Sequence, residues 1–359
     1  MIDGLPIRGR NSLAMVVENL LDGWTRLGTG DELHLALGRG AEVAIPEGVA
    51  VHEVDLGARH YINRLRAQNT LVPRLCREVA ADVMLGVLPT TTIGRLPCPR
   101  ALIAWDLRFE LRPEQFSRQT RLQRALFWGI GFRQADAIVT ISERTRDDLL
   151  RSRPWLRERV VRAAPLGGDH VTRWPARRTD AEPYAITFGQ WSNKNVGLVV
   201  DAWAMLGNDA PALRVVGLGQ DARAQLEAKI AALGLGGRVQ ALPWLSDEEF
   251  QAQFASAAMV VFPSDFEGFG LPAVEALQLG IPLVITPEPA LLEVTAGKAA
   301  VMDGWDADAL VAAVRAAREL SPQQLEAARE HGLTFTWSRT AELTREALAQ
   351  AIGRVAAAG

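Results

Sequence analysis

Short apolar runs alternate with longer amphipathic stretches along almost the whole 359-residue chain, and the alternation occurs twice. In the first half, ELHLAL (32–37), VAVHEVDL (49–56), ADVMLGV (81–87), RALIAWD (100–106) and AIVTIS (137–142) read as strands, with helix-period segments such as SLAMVVENLLDGWTRLG and QTRLQRALFWGIGFRQA between them. A polar, proline-bearing stretch from Arg173 to Pro183 then interrupts the pattern and reads as a linker. The alternation resumes with YAITFG (184–189), ALRVVGLG (212–219), RVQALPW (238–244), AAMVVFP (257–263) and IPLVIT (281–286). Strands separated by helices call for crossover connections and so for parallel sheets. The expectation is an α/β protein of two doubly wound, Rossmann-like domains, 1–170 and 171–336, with 337–359 as a closing alanine-rich helix. The chain begins almost inside its first expected strand, which must then be short or clipped.

Composition removes several function classes. The 39 basic and 42 acidic side chains leave a net charge of −3, without the basic excess of a nucleic-acid binder. Cys76 and Cys98 lie in no CxxC or Cys/His cluster, which gives no zinc site or disulfide framework, and Cys76 is expected to fill a helix core face. The five histidines have no metal-binding spacing. No apolar leader and no membrane-length apolar run occurs, so a cytoplasmic enzyme is the expectation.

The stretch SDFEGFGLP (264–272) carries the most chemistry. It follows the apolar AAMVVFP, and Pro272 suits the first turn of a helix that Gly280 and Pro282 close. Gly268 and Gly270 let backbone N–H groups approach a ligand, and the helix N-terminus favours a phosphate. Carboxylates at Glu267 and Glu275 would repel a phosphate bound alone. They suit a ligand that also carries hydroxyls, because an ionised carboxylate accepts paired hydrogen bonds from a diol. A carboxylate beside a sugar ring also stabilises an oxocarbenium-like transition state. The plainer alternative is a solvated Glu275 and a loop charge at Glu267.

SDFEGFGLPAVEALQLGIPLV resembles the signature of the retaining nucleotide-sugar glycosyltransferases of family 4, which have the GT-B fold: two Rossmann-like domains facing a cleft, with the last helix returning to the first domain. Their paired glutamates correspond to Glu267 and Glu275. The resemblance implies that Glu275 binds the ribose hydroxyls, that Glu267 lies by the donor sugar, and that the Gly268–Phe269–Gly270–Leu271 backbone contacts sugar and phosphate. It implies a nucleotide diphosphate sugar as donor (UDP-, GDP- or dTDP-linked), no cofactor and no metal.

Other segments carry the resemblance further. TFGQWSNKNVGLVVDAW (187–203) is similar to the opening of the family's second domain, where Lys194 matches a lysine that pairs with the diphosphate. Gly189 takes the family glycine, while Gln190 replaces a frequent arginine. GLGQDA (217–222) fits a dinucleotide fingerprint, but the acidic residue expected about 20 positions on is missing, Val239 standing there; in the glycosyltransferase reading the Gly217 loop borders the nucleotide. In LPWLSDEEF (242–250) a Ser246/Glu249 capping box starts a helix, and the backbone of Trp244 and Leu245 is expected to contact the base.

The first half is similar to bacterial mannosyl- and rhamnosyltransferases over 103–151. Where those usually read HDL this chain reads WDL, so Trp105 stands at the family histidine beside Asp106. Asp106 is expected either to orient a hydroxyl or to cap the next turn. Gly9, Arg10 and Asn11 occupy the glycine-rich turn expected at the cleft. DAD (306–308) is better explained as a helix N-cap than as a metal motif. RHYINRLRAQNTLVPRLCR (59–77) reads as a basic amphipathic helix, with contact to an anionic membrane face as the sharper alternative. The acceptor is expected to be a carbohydrate, lipid-linked or natural-product molecule. Two further classes stay open: a binding protein that lost turnover, motivated by Trp105 and Gln190, and an NAD-dependent oxidoreductase.

Overall fold

The computed structural model describes residues 1–178, 182–190 and 192–358. The chain divides into two compact units, Met1–Gly167 with Thr336–Gly359, and Gly168–Phe335. The second unit starts ahead of the polar stretch at 173–183, because the 3-10 helix Asp169–Arg173 already packs on the helix Leu271–Gln278. Residues 179–181 of that stretch lie outside the described residues.

The first unit holds a seven-stranded sheet: β1 (Ile2–Asp3), β2 (Leu33–Gly38), β3 (Val49–Val54), β4 (Met84–Gly86), β5 (Arg100–Ala104), β6 (Ala137–Thr140) and β7 (Val160–Ala163). Every pairing is parallel, in the order β3-β2-β1-β4-β5-β6-β7. The central strands are buried on both faces, which explains why they read as continuous apolar runs, whereas the edge strand β3 is exposed or half-buried along all but its last residue.

The closing helix Trp337–Ala358 belongs to this unit and packs on the helix Ser12–Thr25. Trp337 is fully buried there, and a Cβ placed on Gly23 would meet the Trp337 carbonyl carbon at 2.4 Å, so only glycine admits that approach. Thr340 Oγ1 donates to Pro165 O at 2.6 Å, and Arg345 Nε to Asp31 Oδ2 at 2.6 Å.

The second unit holds a six-stranded parallel sheet: β8 (Tyr184–Phe188), β9 (Ala212–Val216), β10 (Val239–Ala241), β11 (Met259–Phe262), β12 (Leu283–Ile285) and β13 (Ala300–Val301). Their order is β10-β9-β8-β11-β12-β13. Trp203, Leu213, Val261, Val284 and Leu310 fill a core between this sheet and the helices Val196–Leu206 and Ala307–Arg318. Both doubly wound sheets match the expected class.

The first strand is short, as expected, and two strands, β7 and β13, escape sequence reading. β13 has two residues, too few to show a period, and β7 is four residues long with two half-buried positions between buried ones, so it shows no alternation.

Candidate functional site

In a doubly wound sheet the strand order reverses at one point, and ligands bind beyond the carboxyl ends of the strands there. In the second unit that point lies between β8 and β11. The loop after β8 carries Gly189, Gln190 and Lys194, and the loop after β11 carries Ser264 to Gly270. The two stretches singled out from the sequence are therefore spatial neighbours, brought together by strand order although more than seventy residues separate Lys194 from Glu267.

Lys194 Nζ donates to Glu267 Oε1 at 2.6 Å and sits 4.2 Å from the centroid of the Phe262 ring. Both side chains are largely buried, 12% and 14% exposed. Asn193 locks the loops together. Its Nδ2 donates to Ser264 Oγ and Phe266 O, both at 2.9 Å, and to Glu267 Oε1 at 3.3 Å, while Asp265 N donates to its carbonyl at 2.9 Å. Among the described residues the buried Asn193 Oδ1 atom has no hydrogen-bond partner. Ser264 Oγ donates to Glu267 Oε1 as well. One carboxylate oxygen thus accepts from an ammonium, an amide and a hydroxyl, which fixes the Glu267 rotamer. Asn195, at φ 49°, donates from Nδ2 to Pro263 O at 2.9 Å and completes the clasp.

Gly270 precedes the helix Leu271–Gln278 with φ 97°, a conformation open to glycine and strained for other residues. A Cβ there would also meet Leu291 Cδ2 at 2.4 Å. Pro272 falls in the first turn as expected. One turn on, Glu275 is only 5% exposed. Its Oε1 lies 3.0 Å from His170 Nε2, and among the described residues its Oε2 has no partner. His170 reaches this place because its 3-10 helix packs on the Glu275 helix, and its ring meets Trp174 edge to face at 5.6 Å. The pairing of His170 with Glu275 is not legible in the sequence, since nothing in the spacing signals a contact 105 residues apart.

The other expected donor positions surround this pair less closely. Gly189 follows β8, and a Cβ on it would meet Leu218 Cδ2 at 2.3 Å, so Gly189 is required for packing. Gln190 is exposed beside Gly217, which adopts φ 78°. Trp244 is 67% exposed and Leu245 half-buried, just ahead of the Ser246/Glu249 capping box, which forms as read. Asp306 N-caps its helix through Ala309 N at 2.9 Å, as the helix-cap reading of DAD expects. Trp191 lies outside the described residues.

In the first unit the reversal lies between β1 and β4. Gly9, Arg10 and Asn11 follow β1. Gly9 has φ 56°, Arg10 pairs with Glu18, and Asn11 caps the helix Ser12–Thr25 by accepting from Ala14 N at 2.9 Å. Trp105 and Asp106 follow β5. The single indole donor of Trp105 is consumed by Val87 O at 2.7 Å, which ties β5 to the end of β4. Asp106 Oδ1 accepts from Arg108 N at 2.8 Å, the local capping role allowed for it from sequence. Cys76 is buried in the helix core face expected for it. Among the described residues no helix is long and apolar enough to cross a membrane.

Residues 172–332 match the family model described as glycosyl transferases group 1. The chain is similar to the MMP α-(1→4)-mannosyltransferase of Mycolicibacterium hassiacum, with 31% identity over 234 residues, 63% of this chain and 56% of the relative. It spans about half the length of the first curated relatives it matches. Among solved structures it is similar to sucrose-phosphate synthase from Thermosynechococcus elongatus (TM-score 0.73, 16% identity, 100% of this chain and 99% of the other). It is also similar to Anabaena HepE in complex with UDP and glucose (TM-score 0.70, 17% identity, 97% and 99%). The fold of this chain is accordingly that of the GT-B class.

Proposed function

We propose, from the match of residues 172–332 to the group 1 glycosyl transferase model, that the chain transfers a sugar from a nucleotide diphosphate donor to an acceptor, with retention of anomeric configuration and without a metal. The observation that carries the reading is the joining of Lys194 and Glu267 at the reversal point of the second sheet, beside the glycine turn that starts the Glu275 helix.

Each part has a task in this chemistry. The departing nucleoside diphosphate gains charge as the glycosidic bond breaks. An ammonium carries three donors, so Lys194 can hold Glu267 and still turn toward phosphate oxygens. The N–H groups of Gly268, Phe269 and Gly270 would add to that neutralisation at the start of the helix. Glu275 would take the ribose diol on Oε2 while His170 holds Oε1 in place. Glu267, its rotamer locked, would face the donor sugar and stabilise positive charge developing on the ring. Retention and metal independence follow the motif resemblance, with the lysine supplying the cation that a metal supplies elsewhere.

HepE, matched above, is a complex with UDP and glucose, which supports a nucleotide sugar as donor here. The curated relative is named a mannosyltransferase, which supports a carbohydrate-containing acceptor presented by the first unit. The group 1 match spans the GLGQDA loop, and the oxidoreductase alternative is set aside.

A second reading, a binding protein without turnover, rests on Trp105, whose indole N–H is bound to Val87 O and not available to a substrate. Incubation with UDP-, GDP- and dTDP-sugars, followed by assay of hydrolysis and transfer, decides between them. Turnover with one donor supports the enzyme. Nucleotide binding without turnover in the wild type, with activity gained in Trp105→His, supports the binding protein.

A further inference from the structure

We propose that the face of the first unit built by the helices His60–Glu78 and Arg118–Gln134 docks on an anionic lipid surface. The inference goes beyond the transferase reading and stands independently of it.

Strand order creates the face. The chain steps from β3 to β4 and from β5 to β6 in the same direction across the sheet. Right-handed crossovers therefore lay both connecting helices on one side of it, opposite the helix Ser12–Thr25, whose crossover from β1 to β2 steps the other way. Hydrogen bonds tie the two helices at two levels. Gln123 Nε2 donates to Tyr61 Oη. Further along, Ile93 N donates to Asn69 Oδ1 at 2.8 Å and Gln134 Nε2 donates to Ile93 O at 2.6 Å, so the loop at Ile93 bridges the helices.

This surface is apolar where the core does not require it. The helix Arg118–Gln134 meets the core through Trp128 and Phe132, both buried, with Trp128 edge to face on Phe109 at 5.0 Å. Leu122 and Leu126 stand one turn apart on its outer side and are 72% and 58% exposed. Ile62, next to the tied Tyr61 on the other helix, is 56% exposed. A single exposed leucine is ordinary, but three large apolar side chains on two tied helices form a patch that packing within the chain leaves unused.

The patch is also bordered by cations. Arg118, Arg121 and Arg133 on one helix and Arg66 on the other are exposed. Among the described residues none of the four has a carboxylate within ion-pair distance. The segments that build the face, 59–77, 87–99 and 115–135, hold five, one and four arginines and no aspartate or glutamate, although the whole chain carries −3. Two of those arginines are engaged: Arg74 pairs with Glu78 at 2.6 Å, and Arg124 lies 5.0 Å from the Phe116 ring centroid. The four exposed ones remain for a partner.

Exposed leucines set among unpaired arginines suit the headgroup boundary of a bilayer. The leucines enter the acyl edge while the guanidinium groups stay with lipid phosphates, and charge complementarity selects anionic headgroups. The sequence placed membrane contact on 59–77 alone. In the structure Val72, Leu75 and Cys76 of that helix are buried, so it offers mainly its first turns, and the leucines come from the helix Arg118–Gln134.

The test is co-sedimentation of the full chain with vesicles of phosphatidylglycerol mixed with phosphatidylcholine, and with vesicles of phosphatidylcholine alone. The wild type should bind the anionic vesicles, lose binding as salt rises, and bind the neutral ones at least about tenfold more weakly. Leu122→Asp with Leu126→Asp should weaken binding by about tenfold or more. Arg118→Gln with Arg121→Gln, both exposed, should weaken it by about fivefold per charge and keeps the test valid if the leucine variant unfolds. Met205→Asp, which replaces a 51% exposed side chain in the second unit, should leave binding unaltered. No binding to the anionic vesicles, equal binding to neutral ones, or undiminished binding in the arginine variant overturns the proposal. Sedimentation without lipid supplies a further outcome. A dimer that dissolves in the leucine variant, with no vesicle binding by the wild type, assigns the face to a second copy of the chain and overturns the lipid assignment.

Discussion

Lys194 Nζ and Glu267 Oε1 stand 2.6 Å apart and join the loops that leave β8 and β11 at their carboxyl ends. Two residues far apart in sequence become one charged unit because the strand order of the second sheet reverses between those strands. The pair is shielded from water yet sits beside the glycine turn, so its charges act at reduced screening on whatever enters there.

Replacing Lys194 by Met should therefore have two effects. Glu267 keeps Asn193 and Ser264 but loses its ammonium, at a cost of about 1–3 kcal/mol in unfolding free energy. Transfer should fall by about 10²- to 10³-fold, as when a group that neutralises a leaving charge is removed. Chemical denaturation and steady-state kinetics on one preparation check both. A stability loss with unaltered turnover would assign the pair to structure alone.

Gly270→Ala puts a side chain into a left-handed turn and against Leu291. Destabilisation of about 1–3 kcal/mol is expected, together with loss of nucleotide binding, because the turn sets the direction of the helix N-terminus. Gly268→Ala serves as the comparison: Gly268 has no positive φ among the described glycines, and the change should be milder in stability. Thermal unfolding of the two variants side by side gives the answer.

Trp105→Phe keeps the ring and removes the N–H. Val87 O then loses its donor, for a predicted cost of about 1 kcal/mol. Nucleotide affinity should stay at the wild-type value, since the residues proposed to hold the donor lie in the other unit. Calorimetric binding with an unfolding curve tests the separation.

An acid-sensitive contact ties the closing helix to the first unit. Burial raises the Asp31 carboxyl, but hydrogen bonds from Arg345, Thr29 and Trp24 outweigh it and hold its pKa at about 2, below the ordinary 3.8. The folded value is the lower one. The contact thus stabilises above the ordinary carboxylate value and is lost as pH falls through that value toward about 2. Both side chains are partly exposed, which keeps the effect modest. Unfolding followed between pH 5 and pH 2 should show a smaller acid-induced loss in Asp31→Asn than in wild type, with Arg345→Gln behaving alike.

Much of this was legible in the sequence. The parallel two-sheet class follows from apolar runs such as MVVF and AIVT, which sit buried on both faces. The glycine turn, the Pro272 helix start and the Ser246 capping box are local, and local chemistry survives in any context. What depended on long-range packing was hidden. The His170–Glu275 contact and the capture of the Trp105 N–H by Val87 arise from how strands and helices are ordered, which spacing along the chain does not encode. The extra strands β7 and β13 are short enough that their neighbours, and not their residues, define them.

The central claim is that the second unit grips a nucleotide sugar through Lys194, the glycine turn and Glu275. Its most direct test is calorimetric titration of UDP, GDP and dTDP into the wild-type chain and into Glu275→Ala. One nucleotide should bind the wild type and lose most of its affinity in a variant that still folds. Absence of binding by all three, or equal affinity in the two proteins, would contradict the account.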